Sequence, residues 1–152
     1  MAENDSKQYI IIFLDNEQYG IEIKYIESII VMQKITRVPK SQPYYKGVIN
    51  LRGDIVPVMS IRNKLKQMED VYNNKTRIII VKPELQAAPI GLIADGVKEV
   101  ITLKNEDVNL LNYDEQDDGT NYSMGVGKYG KDLINILNVP ALVIDKKIIN
   151  QS

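Results

Sequence analysis

The sequence predicts a mostly β protein built from two similar small β-barrels packed together, with short helices and a helix near the C-terminus. Three observations point to it. Short β-branched runs bounded by polar residues or proline recur along the chain, helical periodicity is weak, and the order of the β segments repeats once.

Tyr9-Ile10-Ile11-Ile12-Phe13-Leu14 reads as a buried strand. Asp15-Asn16-Glu17 supplies turn chemistry, and Tyr19, Ile21 and Ile23 then alternate with Gly20, Glu22 and Lys24, so the first two strands form a hairpin. Ile26, Ile29 and Ile30 have helical spacing over a stretch that permits only about two turns. Residues 47–51 and 55–59 flank Arg52-Gly53-Asp54 as a second hairpin and its turn. Pro57 has no N–H for a ladder bond and is expected at an edge or a bulge. After a polar join at 68–75, Arg77-Ile78-Ile79-Ile80-Val81 is another buried strand, and a second polar stretch covers 112–121. The best helix lies at the C-terminal end, with Asn138 as N-cap, Pro140 in the first turn, and Ala141, Leu142 and Ile144 following.

The repeat is specific. Gly47-Val48 leads to Asp54-Ile55-Val56-Pro57-Val58-Met59, and Gly125-Val126 leads to Asp132-Leu133-Ile134-Asn135-Ile136-Leu137 at the same spacing. Earlier, Gly20-Ile21 with Ile26 and Ile29 is echoed by Gly91-Leu92 with Val97 and Val100. Apolar β segments can resemble one another by chance, but two marks in the same order favour two barrels, approximately 8–72 and 75–145, with strand exchange between them open. Units of about 70 residues bury little surface alone and should share an apolar seam.

Composition narrows the function. The chain has 152 residues, 44% of them hydrophobic and 26% charged, the balance of a globular domain with a core. Nineteen basic against 20 acidic residues leave a net charge of −1, without the basic excess of a nucleic-acid binder. The absence of Cys and His removes disulfides, thiolates, imidazole metal sites and His-based triads. The polar, acidic start Met1-Ala2-Glu3-Asn4-Asp5-Ser6 is unlike a signal peptide, and no apolar run near it is long enough to span a bilayer. A cytoplasmic protein is expected.

Several motifs have simpler explanations. Gly125-Val126-Gly127-Lys128-Tyr129-Gly130 matches the dinucleotide string G-x-G-x-x-G, but the following residues read as a strand rather than the required helix, so a glycine-rich hairpin is expected. Asp114-Glu115-Gln116-Asp117-Asp118-Gly119 lacks the alternation and flanking helices of a calcium loop and reads as solvated. Arg52-Gly53-Asp54 is too short to signify an integrin ligand. The carboxylate pairs Asp15 with Glu17 and Glu69 with Asp70 lie in polar sequence, without the burial that raises a catalytic acid.

Gly47-Val48-Ile49-Asn50-Leu51-Arg52-Gly53-Asp54-Ile55-Val56-Pro57-Val58-Met59-Ser60-Ile61-Arg62 resembles the central signature of the CheW family, a pattern close to G-V-x-N-L-R-G-x-I-x-P-V-x-D-L-R. Glu17-Gln18-Tyr19-Gly20-Ile21-Glu22-Ile23, Ile35-Thr36-Arg37-Val38-Pro39 and Gly91-Leu92-Ile93-Ala94-Asp95-Gly96-Val97-Lys98-Glu99-Val100 resemble further family blocks in the expected order. The resemblance spans roughly 8–145. Ser60 departs from a usual Asp, with Asn138 at the comparable place in the second half; Ser28 departs from a frequent Glu, and Ala94 from a common Val.

The resemblance implies one CheW-like domain over 1–152, made of two five-stranded, SH3-like barrels, with no cofactor, metal or catalysed reaction. It implies a scaffold coupling chemoreceptors (methyl-accepting chemotaxis proteins) to the histidine kinase CheA, in the cytoplasm and recruited to membrane receptor arrays. The implied partners are the cytoplasmic receptor tip and the CheA regulatory domain, with no nucleic acid and no membrane insertion. The protein would be a monomer alone and join rings or arrays in complex. The related module in CheA accompanies an ATP-binding region and that in CheV a receiver domain; a chain of this length favours the stand-alone adaptor. The resemblance places Ile26, Gly47, Arg52, Thr76 and Ile78 at the receptor, and Ser28, Ile35 and Tyr113 at the kinase. A receptor helix would lie in the seam between barrels, where Gly47 lets backbone approach and Arg52 offers a fork of donors.

Two rival classes make different demands. A nucleic-acid-binding barrel should present stacking aromatics on a basic face, yet the chain has no Trp and one Phe. A small carboxylate enzyme should show acids converging in a pocket.

Overall fold

The structure, a computed structural model, describes residues 5–39, 41–110 and 122–143. In chain order the elements are β1 (Ser6–Leu14), β2 (Glu17–Glu22), β3 (Ile26–Val31), β4 (Tyr45–Leu51), β5 (Asp54–Ser60), α1 (Ile61–Lys66), β6 (Arg77–Val81), β7 (Ile90–Ala94), β8 (Gly96–Lys104), β9 (Val108–Leu110), β10 (Ser123–Tyr129), β11 (Asp132–Leu137) and α2 (Val139–Val143). They form two sheets, one in the order β8-β1-β2-β11-β10-β9 and the other β3-β6-β7-β5-β4.

The two orders superimpose as a pseudo-repeat. β3, β6, β7, β5 and β4 take the places of β8, β1, β2, β11 and β10. Where β9 pairs with β10, the other sheet has a single bridge between Thr36 and Val48. The five strands expected in each half are therefore six in one sheet, because residues 108–110 form a short ladder where Thr36 forms one bridge. Each sheet also takes strands from both halves of the chain. The hairpin β1–β2 lies between β8 and β11, and β6–β7 lies between β3 and β5. Two parallel junctions, β2 with β11 and β5 with β7, join strands far apart in sequence.

Three apolar clusters explain the strand patterns. Tyr9, Ile11, Ile101, Leu103, Ile134 and Ile136 pack inside the six-stranded sheet. Ile49, Val56, Val58, Ile78, Ile80 and Ile93 pack inside the five-stranded one. The alternate residues of the same strands, Ile10, Ile12, Leu14, Ile79 and Val81, meet Ile21, Leu92, Ile61 and Leu142 in a cluster shared by the sheets. β1 and β6 read as continuous apolar runs because both of their faces are covered.

Two local expectations are corrected, and one helix is added. Ile26, Ile29 and Ile30 belong to strand β3, since pairing with β6 outweighs a helical spacing only two turns long. Pro57 lies in β5, an interior strand. It is tolerated because Val48 turns both its N–H and its C=O toward Thr36, so the Val48–Pro57 pair needs no bond from proline, and the β5–β7 register begins only at Val58. Helix α1 is not foreseen, because its apolar content is too short to show a period. The G-x-G-x-x-G string does form the hairpin β10–β11, and Asn138 Oδ1 accepts from the Ala141 N–H as the N-cap of α2. The acidic stretch 114–119 and Ile144 lie outside the described residues.

Candidate functional site

The family-like signature folds as the hairpin β4–β5. Leu51 pairs with Asp54, leaving Arg52 and Gly53 as a two-residue turn at φ 55° and 90°. Positive φ at both central positions is the hairpin solution that matches strand twist. Asn50 Oδ1 accepts from the Gly53 N–H at 2.9 Å and steadies the loop. Leu51 turns onto the interior cluster, while Arg52, Asp54 and Ile55 are exposed, Ile55 at 65%. The tip thus presents a guanidinium beside an uncovered aliphatic side chain. Leu133, at the equivalent place in the second half, is likewise exposed.

The expected receptor residues all lie in or beside the five-stranded sheet, but they do not form one exposed patch. Ile26 on β3 is half-buried against the shared cluster. Arg52 is exposed at the turn. Thr76 and Ile78 are buried, at 1% and 0% exposure, so neither side chain can touch a partner directly. Thr76 Oγ1 accepts from the Asn73 N–H at 2.9 Å, and Ile78 fills the interior cluster. Gly47 is also buried; a Cβ there would sit 2.0 Å from the Thr36 carbonyl oxygen. Its close approach is to its own chain, where Thr36 and Val48 exchange two backbone bonds. Of the expected kinase residues, Ser28 on β3 and Ile35 are half-buried, and Ile35 lines a groove of about 450 Å³ with Val38, Tyr45 and Tyr72. Tyr113 lies outside the described residues.

Several residues escaped the sequence reading. The Asp70 carboxylate is buried despite its polar sequence neighbours, its side chain 5% exposed. It accepts from Ser60 Oγ at 2.6 Å and lies 3.8 Å from Lys46 Nζ. Ser60 Oγ in turn accepts from the Asn63 N–H and caps α1. Tyr72 donates to Asp70, and burial together with that carboxylate pushes its phenol up to about 12. Arg62 from the signature meets Asp95 from the Gly91 block at 2.8 Å, which ties α1 to the β7–β8 corner. Lys64 Nζ lies over the rings of Tyr44 and Tyr122 and donates to the Leu142 carbonyl at 2.7 Å, joining α1 to α2. Burial lowers Lys64 to about 8. Among the described residues no group of three or more carboxylates converges to hold a metal ion, and no helix is long and apolar enough to cross a membrane.

The CheW-like domain family matches residues 8–147. The chain belongs to that family. It is 34% identical over 147 residues to the chemotaxis protein CheW of Bacillus subtilis, covering 96% of this chain and 92% of that relative. It is 28% identical over 147 residues to the chemotaxis protein CheW of Klebsiella aerogenes, covering 97% and 87%. The crystal structure of the scaffolding protein TtCheW from Thermoanaerobacter tengcongensis matches with a TM-score of 0.81 at 26% identity, over 92% of this chain and 94% of that one. Membership of the CheW family makes the chain a chemotaxis scaffold rather than an enzyme. Arg52, Arg62 and Asp95 all fall in the blocks that carry the likeness, so two family-like segments remote in sequence meet through one ion pair.

Proposed function

We propose that this chain couples chemoreceptors to the histidine kinase CheA, binding the cytoplasmic receptor tip and the CheA regulatory domain at the same time in membrane-associated arrays. The observation that carries this reading is the β4–β5 tip: the most family-like segment ends in an exposed Arg52 beside an exposed Ile55. An arginine fork next to apolar surface suits a helix end that offers a carboxylate or free carbonyls together with an aliphatic side chain. Ile26 and Ser28 on β3 would extend the receptor and kinase contacts. Gly47, Thr76 and Ile78 would act from beneath, holding the backbone of the surface. Ile35 and its groove would serve the kinase.

The test is a binding assay of the purified chain with a receptor-tip fragment and with a CheA regulatory domain. Arg52→Glu should weaken receptor-tip binding about tenfold or more, the usual cost of reversing a charge at a contact, and leave the kinase domain bound. Equal binding by wild type and variant would move the receptor site elsewhere. Failure of the wild type to bind either partner from a matching organism would remove the coupling role.

A further inference from the structure

A second surface has no part in that reading. Between the β1–β2 turn, the start of α1, the strand-free 71–76 segment with the start of β6, and the β7–β8 corner lies a cleft of about 870 Å³. Its walls include Arg62, Lys75, Arg77 and Lys98 against only two carboxylates, Asp15 and Asp95. Four cations against two acids is a local excess of positive charge on a chain whose net charge is −1. Asp95 is already engaged, accepting from Arg62 Nη1 and from the Asp15 N–H. Among the described residues Lys75, Arg77 and Lys98 have no ion-pair partner. Arg77 Nη1 donates to the carbonyls of Asn74 and Thr76, which orients the guanidinium without neutralising it.

Like charges gathered along a concave wall focus a positive field that attracts anionic groups. The cleft exceeds what one small anion fills and falls within the range of sites that hold several groups at once. Apolar side chains of Phe13, Val71 and Val97 share its lining, which suits a peptide with carboxylates and short aliphatic stems. A nucleic acid fits less well: Phe13 is the one aromatic ring in the lining, which leaves little for bases to stack on.

We infer that this cleft binds an acidic segment of a partner protein, with two or more Asp or Glu side chains laid across Lys75, Arg77 and Lys98. The inference does not depend on the coupling role. It is tested on the full-length, nitrogen-15-labelled chain by following backbone amide shifts at low salt, with an amidated hexaglutamate peptide as the probe. The amides of Lys75, Arg77, Gly96 and Lys98 should shift saturably. The double substitution Lys75→Glu with Lys98→Glu should weaken binding about tenfold or more, as expected for reversing two contact charges. Both side chains are exposed, so the fold should survive, and the variant's own spectrum checks it. Lys128→Glu with Lys131→Glu, at the β10–β11 turn, should change affinity little. Inorganic phosphate and an oligothymidylate complete the series. Equal losses in both variants, shifts scattered over surface lysines, no saturable shift, or saturation by phosphate or the oligothymidylate alone would each overturn the inference.

Discussion

Gly47 and Gly53 sit six residues apart in one hairpin, both at positive φ, and the structure gives them opposite tolerances. At Gly47 a Cβ would lie 2.0 Å from the Thr36 carbonyl oxygen, which accepts from the Val48 N–H while the Thr36 N–H donates to the Val48 carbonyl, so this backbone is held in place. At Gly53 a Cβ would meet nothing within 4 Å. Gly47→Ala should therefore cost about 3 kcal/mol or more, as steric collision adds to left-handed strain, whereas Gly53→Ala should cost about 1 kcal/mol from strain alone. Denaturant unfolding of both variants checks the ordering, and equal losses would refute it. The departure at Ser60 also has a local reason. Its hydroxyl both caps α1 and donates to Asp70 at 2.6 Å, whereas an aspartate there would set two carboxylates face to face.

At the scale of elements, the clasp between α1 and α2 is the feature most open to titration. Lys64 reaches from α1 between Tyr44 and Tyr122 to the Leu142 carbonyl. The same two tyrosines accept, through their carbonyls, from the N–H groups of the capping residues Ser60 and Asn138, so the clasp sits on equivalent points of the repeat. Burial lowers the folded pKa of Lys64 from 10.5 to about 8, so above that pH the unfolded chain holds more protons than the folded one. Stability from this group should be flat below about pH 8 and rise with pH from there toward its unfolded value. The melting temperature of wild type minus that of Lys64→Met should accordingly increase between about pH 7.5 and about pH 9.5. A difference that is constant or falls would show that the rings and the carbonyl hold the lysine charged.

Across the whole molecule, stability is shared rather than divided into halves. β1 and β2 complete a sheet whose other strands come from beyond residue 95, and β6 and β7 complete the sheet of β3, β4 and β5. The cluster shared by the sheets draws on both α1 and α2. Neither half of the chain can close its own hydrogen-bond ladders, so the full chain should unfold in one transition. Circular dichroism and tyrosine fluorescence should then report the same midpoint, and two separated midpoints would argue for independent halves. The same exchange brings Arg62 to Asp95, and it sets Lys75, Arg77 and Lys98 around one cleft.

Much of this was legible in the sequence, for identifiable reasons. Period and composition determined the β class, since β-branched runs, turn residues and a repeated glycine-led hairpin act over a few residues at a time. The signature from Gly47 to Arg62 led to the family and drew attention to Arg52, whose exposure follows from a two-residue turn that the sequence itself specifies. Tertiary structure decided which of the expected receptor residues face outward. The resemblance places Thr76, Ile78 and Gly47 at the receptor, but Thr76 and Ile78 are buried and Gly47 packs against Thr36. Asp70 looks solvated, yet Ser60 and Lys46 enclose it. Burial, pairing between distant carboxylates and cations, and the exchange of strands between sheets depend on contacts far apart along the chain, where short-range pattern carries no information.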